Sequence, residues 1–208
     1  MKSLPKNERG IARQLRAGLG ELPPATLARS RARVKSWFES EAPVIGWGEM
    51  NSPLGTLFVA VSERGLCAVE FGRRQSEFFA HLDPLARLEK NSRAVRRAQQ
   101  QLRAYFAGDR LDFSLPIDLS SLTPFQREVL ATARRIVPGD VWTYHRVAAE
   151  MGRPKSSRPV GQALARNPVP IVIPCHRVIA SDGTLGGYSG GSGLKAKRWL
   201  LRLEGALS

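Results

Sequence analysis

The sequence predicts an α+β chain, a small sheet-bearing half followed by a mostly helical half that contains a helix-turn-helix. Three observations lead there. Residues 44–71 break into short β-rich runs separated by turn residues. A capping sequence, Thr123-Pro124-Phe125-Gln126, opens a series of short helical segments. Residues 123–208 carry 13 basic against 5 acidic side chains. With 208 residues, 42% hydrophobic and 24% charged, the composition is that of a folded protein with room for one large domain or two small ones. The expected organisation is a basic extension over residues 1–43, a small α/β domain over 44–118 and a helical domain over 123–208.

Within the extension, a short helical pattern runs from Glu8 to Leu19, and Leu22-Pro23-Pro24 breaks it. The Arg-rich stretch from Arg29 to Lys35 suits a solvated helix, a flexible tail or a basic arm. Glu8, Glu21, Glu39 and Glu41 interrupt the positive charge and argue against a transit peptide. Val44–Met50, Thr56–Val61 and Leu66–Phe71 are expected as strands, punctuated at Asn51-Ser52-Pro53 and Ser62-Glu63-Arg64-Gly65. Cys67, in the third, is expected to be a small buried hydrophobe.

Asn91-Ser92 caps a helix expected to run to Ala107, with Gly108 past its end and Val95, Ala98, Leu102, Tyr105 and Phe106 on one face. Leu111, Phe113, Leu115 and Ile117 alternate as a strand does, and this half offers nothing catalytic. After a linker, Asp118 to Leu122, the Thr123-capped helix is expected to reach about Val137, where Pro138-Gly139-Asp140 stops it. Thr143 caps a helix from Tyr144 to Met151, ended by Gly152. Ser156-Ser157 caps another from about Arg158 to Arg166, with Pro159 in its first turn and Asn167-Pro168 at its end. Two short helices around a Gly/Pro turn form the helix-turn-helix pattern.

Charge narrows the function classes. Thirty-two Lys and Arg against 18 Asp and Glu give +14, divided as +5 over residues 1–43, +1 over 44–122 and +8 over 123–208. A field of that sign attracts polyanions. The longest uninterrupted apolar run, Leu57 to Val61, is far short of a membrane span, and no secretory signal is expected. Two cysteines, Cys67 and Cys175, cannot build a disulfide framework and suit a reducing compartment. With three histidines and no Cys-x-x-Cys, the common structural zinc sets are excluded.

Val169-Pro170-Ile171-Val172-Ile173-Pro174 leads into Cys175-His176-Arg177. Neighbouring side chains in an extended segment point apart, so a thiol–imidazole partnership there needs a bent backbone or an intervening water. A free thiol with pKa ~8.5 is only slightly ionised at neutral pH, so a nucleophilic role requires such a partner. From the residues alone, a core cysteine beside a surface histidine stays open. The segment Gly183 to Gly193, six glycines around Tyr188 and two serines, can approach a flat ligand closely and lacks P-loop spacing. A last helix, about Leu194 to Leu203, leads into Glu204, a surface charge or a carboxylate reaching back to a histidine.

The stretch Asn167 to Ile179, with Pro174-Cys175-His176-Arg177-Val178 at its centre, resembles the active-site signature of the O6-alkylguanine-DNA alkyltransferases. The likeness continues through Gly187-Tyr188-Ser189-Gly190-Gly191 and Trp199-Leu200-Leu201 to Glu204, and back to Thr123–Gln126 and Thr143-Tyr144. Residues 44–117 are more loosely similar to that family's small N-terminal domain, which is ribonuclease-H-like.

The resemblance implies repair by direct reversal: Cys175 takes the alkyl group of O6-alkylguanine, and of O4-alkylthymine, and keeps it. His176, through water, and Glu204 activate Cys175; Asn167 braces the turn; Tyr144 protonates the departing guanine. Tyr188, Ser189 and Gly190 hold the base and Val178 lines the pocket. Arg158 fills the stack behind a flipped nucleotide, and the helix bearing Pro159, Gly161, Gln162 and Ala165 meets the minor groove of double-stranded DNA. It implies a cytoplasmic monomer with no cofactor, no metal and no membrane. Pro159 and Gln162 depart from the small residues usual at their positions, two extra residues lie between Gly191 and Trp199, and the extension is unmatched. Three rivals are less well supported. A lesion sensor of this kind lacks the cysteine. A sequence-reading regulator has no need of the Cys-His core, and a cysteine hydrolase leaves the basic charge unexplained.

Overall fold

The computed structural model describes residues 24–72 and 74–207. The expected helix from Glu8 to Leu19 lies outside the described residues. The Arg-rich stretch is helical: α1, Pro24–Ser40, is a solvated helix with Lys35 and Glu39 paired at 3.8 Å. Contacts group residues 43–208 into one compact unit. Among the described residues no helix is long and apolar enough to cross a membrane.

The three expected strands form as β1 (Val44–Ser52), β2 (Gly55–Ser62) and β3 (Gly65–Phe71), an antiparallel meander. Two elements the sequence did not signal complete the sheet. Helix α2 (Gln75–Phe79) is a single short turn, and β4 (Arg87–Lys90) pairs parallel to β1, giving the order β3-β2-β1-β4. Strand β4 is exposed at every position, so no alternation marks it in the sequence. Apolar groups cover both sheet faces. Phe58 and Ala60 join Ile45, Trp47 and Phe78 on one side, while Leu57 and Val59 join Ala98, Leu102 and Tyr105 on the other. Hence β2 is an unbroken apolar run rather than an alternating one. Cys67, expected buried, is half-buried; burial pushes its thiol up to about 11.

Helix α3 (Arg93–Ala107) follows its sequence signals closely. Ser92 Oγ accepts from the Val95 N–H, Gly108 adopts the left-handed C-cap, and the five expected apolar side chains are buried. The segment from Leu111 to Ile117 corrects the strand expectation. It alternates in burial but makes only one isolated bridge, Leu66 with Ile117. The reason is competition for its backbone: the Ser114 N–H donates to Gln101 Oε1 at 3.0 Å, and Pro116 has no N–H to give.

In the helical half, α4 (Pro124–Ala133) carries the full Thr123–Gln126 capping box. It stops four residues short of Val137, because Ile136 turns into the core and its carbonyl accepts from Arg177. Helix α5 (Tyr144–Glu150) is capped by Thr143, whose hydroxyl accepts from the Arg146 N–H. Helix α6 (Ser157–Ala165) starts at Ser156, but the expected serine cap makes no side-chain hydrogen bond. A two-stranded parallel ladder joins β5 (Trp142–Thr143) to β6 (Val178–Ile179), and α7 (Leu194–Leu203) closes the fold. One core cluster runs from Leu57 and Leu102 through Val129 and Val160 to Leu200. The Val69 N–H of β3 also donates to the Pro168 carbonyl at 2.8 Å.

Gly65 and Gly55 separate strain from collision. Both have positive φ, +140 and +107, but a Cβ on Gly65 would lie 2.4 Å from the Pro116 carbonyl oxygen whereas one on Gly55 meets nothing within 4 Å. Gly55→Ala should cost roughly 1–2 kcal/mol in denaturant unfolding, and Gly65→Ala about twice that or more. Equal costs would mean that the close approach contributes nothing.

Candidate active site

The chain from Asn167 to Arg177 is a compact turn, not the extended segment its prolines suggest. The Ile173 N–H donates to the Val169 carbonyl at 3.0 Å, and the Cys175 N–H donates to the Ile173 carbonyl at 2.8 Å. Ile171 is held at φ +74 while buried. A β-branched residue there stores roughly 1–3 kcal/mol of strain, held by its surroundings. Cys175–Arg177 then form a 3₁₀ turn, the bent backbone that lets adjacent residues share one site. Asn167 ties the turn together: its Nδ2 donates to the Ile173 carbonyl at 2.9 Å and to Cys175 Sγ at 3.2 Å, and its Oδ1 accepts from the Val169 N–H at 3.1 Å.

Behind Cys175 lies a buried charge network. His176 is fully buried and its Nε2 lies 3.0 Å from Glu204 Oε1. Glu204, at the end of α7, is therefore not a surface charge. Arg177 grips it with Nε on Oε2 and Nη2 on Oε1, both at 2.8 Å, while its Nη1 donates to the Ile136 carbonyl. Tyr105 Oη donates to the same Oε1 at 2.7 Å. Burial alone would raise the Glu204 carboxyl, but hydrogen bonds from Arg177 and His176 bring it down to about 2, so it is ionised. Burial lowers His176 despite Glu204, so the imidazole is neutral. With Nε2–H donating to Glu204, Nδ1 presents a lone pair; it is buried and has no partner among the described residues. Burial raises the Cys175 thiol, against the Asn167 hydrogen bond and the Lys197 charge.

In front of Cys175 is a cavity of about 280 Å³, at the small end for ligand sites. It is lined by Tyr144 from α5, by Gly161, Leu164 and Ala165 from α6, and by Gly187, Tyr188 and Ser189 from the glycine-rich loop. Gly161 and Ala165, expected at a DNA face, thus border the cavity as well. Arg158, Pro159 and Gln162 are exposed on the outer side of α6, opposite buried Val160, Ala163 and Leu164. Val178 corrects its expectation: it is fully buried beside Trp142 and does not line the cavity. Gly190 does not line it either; a Cβ there would strike the Tyr188 ring at 2.8 Å. Burial raises the Tyr144 hydroxyl, opposed by a hydrogen bond with the Gly187 backbone, which keeps it protonated.

Three side chains that pack into the site escaped the sequence reading. Lys197 is fully buried, its Nζ donating to the Val178 carbonyl at 2.6 Å, to the Gly187 carbonyl at 3.3 Å and to the Leu185 carbonyl. Desolvation lowers it to about 8. A signal existed: Lys197 shares a helix face with Leu200, Leu201 and Glu204. Arg177 sits inside the recognised motif, yet only the fold reveals its hold on Glu204. Tyr105 lies 99 residues from Glu204 and gave no sequence signal beyond an apolar-face hydroxyl in need of a partner.

Two family models cover nearly all of residues 43–208: the 6-O-methylguanine DNA methyltransferase ribonuclease-like domain matches residues 45–119, and its DNA-binding domain matches residues 124–206. A methylated-DNA–protein-cysteine methyltransferase of Methanosarcina acetivorans is 41% identical over 158 residues, 75% of this chain and 96% of that protein. Its counterpart in Shigella flexneri is 41% identical over 164 residues, 76% of this chain and 95% of that protein. The crystal structure of Mycobacterium tuberculosis OGT in complex with DNA superposes with a TM-score of 0.66 at 34% identity, covering 77% of this chain and 93% of that one. A match of this extent, spanning both halves and the cysteine turn alike, means that the chain belongs to the 6-O-methylguanine DNA methyltransferase family.

Proposed function

We propose that this protein repairs alkylated DNA by moving the alkyl group of O6-alkylguanine, and of O4-alkylthymine, onto Cys175 once per molecule. Transfer of methyl groups from DNA to a protein cysteine is the activity named for its relatives. The observation that carries the reading for this chain is Cys175 at a cavity wall, with a neutral histidine and an ionised carboxylate behind it.

The chemistry follows from that order. His176 Nδ1 takes the thiol proton through a water, and Glu204 stabilises the imidazolium that forms. The Asn167 amide and the Lys197 charge favour the thiolate. Sγ then attacks the alkyl carbon in line, the carbon–oxygen bond breaks, and the electron pair leaves on the guanine. Tyr144, still protonated, supplies a proton to the departing base. Tyr188 and Ser189 hold that base, Gly190 leaves room for the Tyr188 ring, and Val178 acts through its carbonyl, held by Lys197. In-line attack on O6 cannot occur within a paired stack, so the nucleotide must swing out. The exposed row of Arg158, Pro159 and Gln162 suits contact with the minor groove, Arg158 filling the gap, and Gly161 and Ala165 border the entrance. Every group in this scheme comes from one chain, so a monomer suffices, and a free nucleophilic thiol suits the cytoplasm. Loss of the cysteine would leave a lesion sensor; Cys175 is present.

Stoichiometry tests the reading. A thioether carbon is not displaced by water at neutral pH, unlike an acyl-enzyme. Excess alkylated duplex should add one alkyl group per chain, mapped to Cys175 by intact mass and digestion. Cys175→Ala should abolish transfer and keep DNA binding, while Cys67→Ala should change neither. Turnover beyond one equivalent, or label on Cys67, would overturn the mechanism. Arg158→Ala should slow repair of duplex DNA strongly yet leave reaction with free O6-benzylguanine nearly unchanged; equal losses on both would assign Arg158 to the fold. Lys197→Met removes the donor that ties two loop carbonyls to the Val178 carbonyl of β6, and should slow transfer roughly ten- to a hundredfold while duplex affinity is retained. Unchanged rates would show that the loop needs no such tether.

A further inference from the structure

We infer that Tyr105, on α3 of the sheet-bearing half, is a positioning residue for alkyl transfer: its hydroxyl donates to the Glu204 oxygen that faces His176 and restrains how strongly that carboxylate draws the imidazole proton. The inference rests on the His176–Glu204 relay proposed above.

The geometry is specific. Glu204 Oε1 receives three donors, Tyr105 Oη at 2.7 Å, Arg177 Nη2 at 2.8 Å and His176 Nε2 at 3.0 Å, whereas Oε2 receives Arg177 Nε. Tyr105 therefore competes at the atom that would stabilise the imidazolium. The ring is locked: Tyr105 is fully buried, with Phe106 edge-on at 5.6 Å and Phe113 at 5.4 Å. Burial and the neighbouring carboxylate push its hydroxyl far above the usual tyrosine range, so it stays a donor throughout and never serves as a base. The other ionisable or charged groups around the pair are Arg177 from the 3₁₀ turn, Lys197 from α7, Cys175, and Tyr188 from the loop. All of these come from the helical half, and Tyr105 from the sheet-bearing half.

The sign follows directly. Each donor draws charge from Oε1 and weakens its hold on the His176 N–H. With the Tyr105 hydroxyl removed, Oε1 is more negative and His176 more basic. The resting protein then gains its inhibitory proton, on His176 beside a still-protonated Cys175, at a higher pH.

The test is the pH dependence of transfer from alkylated duplex in wild type and Tyr105→Phe, with iodoacetamide labelling of Cys175 as a DNA-free readout. The acid limb of both profiles should move up by about half to one pH unit, while binding to unmodified duplex reports the fold. Site-specific 3,5-difluorotyrosine at position 105, a stronger donor that keeps the ring, should move the limb down, which also covers a Phe variant that fails to fold. Superimposable profiles, or a loss equal at every pH, would overturn the inference. Glu204→Gln separates the two readings. If it leaves the limb in place, the relay itself fails. If it abolishes transfer while neither position-105 variant shifts the limb, only the role of Tyr105 falls.

Discussion

Burying the Glu204 carboxylate is the constraint to which much of the structure answers. An ionised carboxylate withdrawn from water is tolerated only when its oxygens are met by donors. Here the donors converge from two parts of the chain, Tyr105 from α3 and His176 with Arg177 from the cysteine turn, onto Glu204 at the end of α7. Meeting that demand has local costs. Arg177 takes the Ile136 carbonyl, which ends α4 early, and the turn delivering His176 keeps Ile171 at a positive φ. A buried ion group of this kind is weak evidence of stability in itself; its value lies in the orientation it imposes on His176.

The electrostatics divide by depth. The groups that would handle the proton are, at rest, a thiol held neutral by burial, a neutral imidazole and a protonated phenol, grouped around one compensated carboxylate. At the surface of the helical half, α6 exposes Arg158. A basic exterior recruits a polyanion without specifying a base. A small, mostly apolar cavity beside the Cys175 thiol limits what can reach it.

Much of this was legible beforehand where chemistry is local. The Ser92 and Thr123 caps, the Gly108 stop and the apolar face of α3 all follow from patterns within one turn of helix. The motif around Cys175 directed attention to Asn167, Tyr144 and Tyr188, which do surround the thiol. Illegible features depend on distant partners. Strand β4 has no buried residue to mark it. The run from Leu111 to Ile117 reads as a strand, yet Gln101 takes the Ser114 N–H that a ladder would need. The family resemblance put Val178 at the pocket wall, whereas in this chain it pairs with Trp142 and is fully buried.

The hydrogen bond from Val69 to Pro168 joins a sheet strand to the turn that carries Cys175. Together with the Tyr105 contact and the shared apolar cluster, it leaves the helical half no separate route to disorder. Opening the sheet strips a donor from the Glu204 carboxylate and a brace from the cysteine loop at once. The two halves are therefore expected to melt as one cooperative unit, in which case calorimetric and van't Hoff enthalpies should agree and the slowest-exchanging amides should be spread across both.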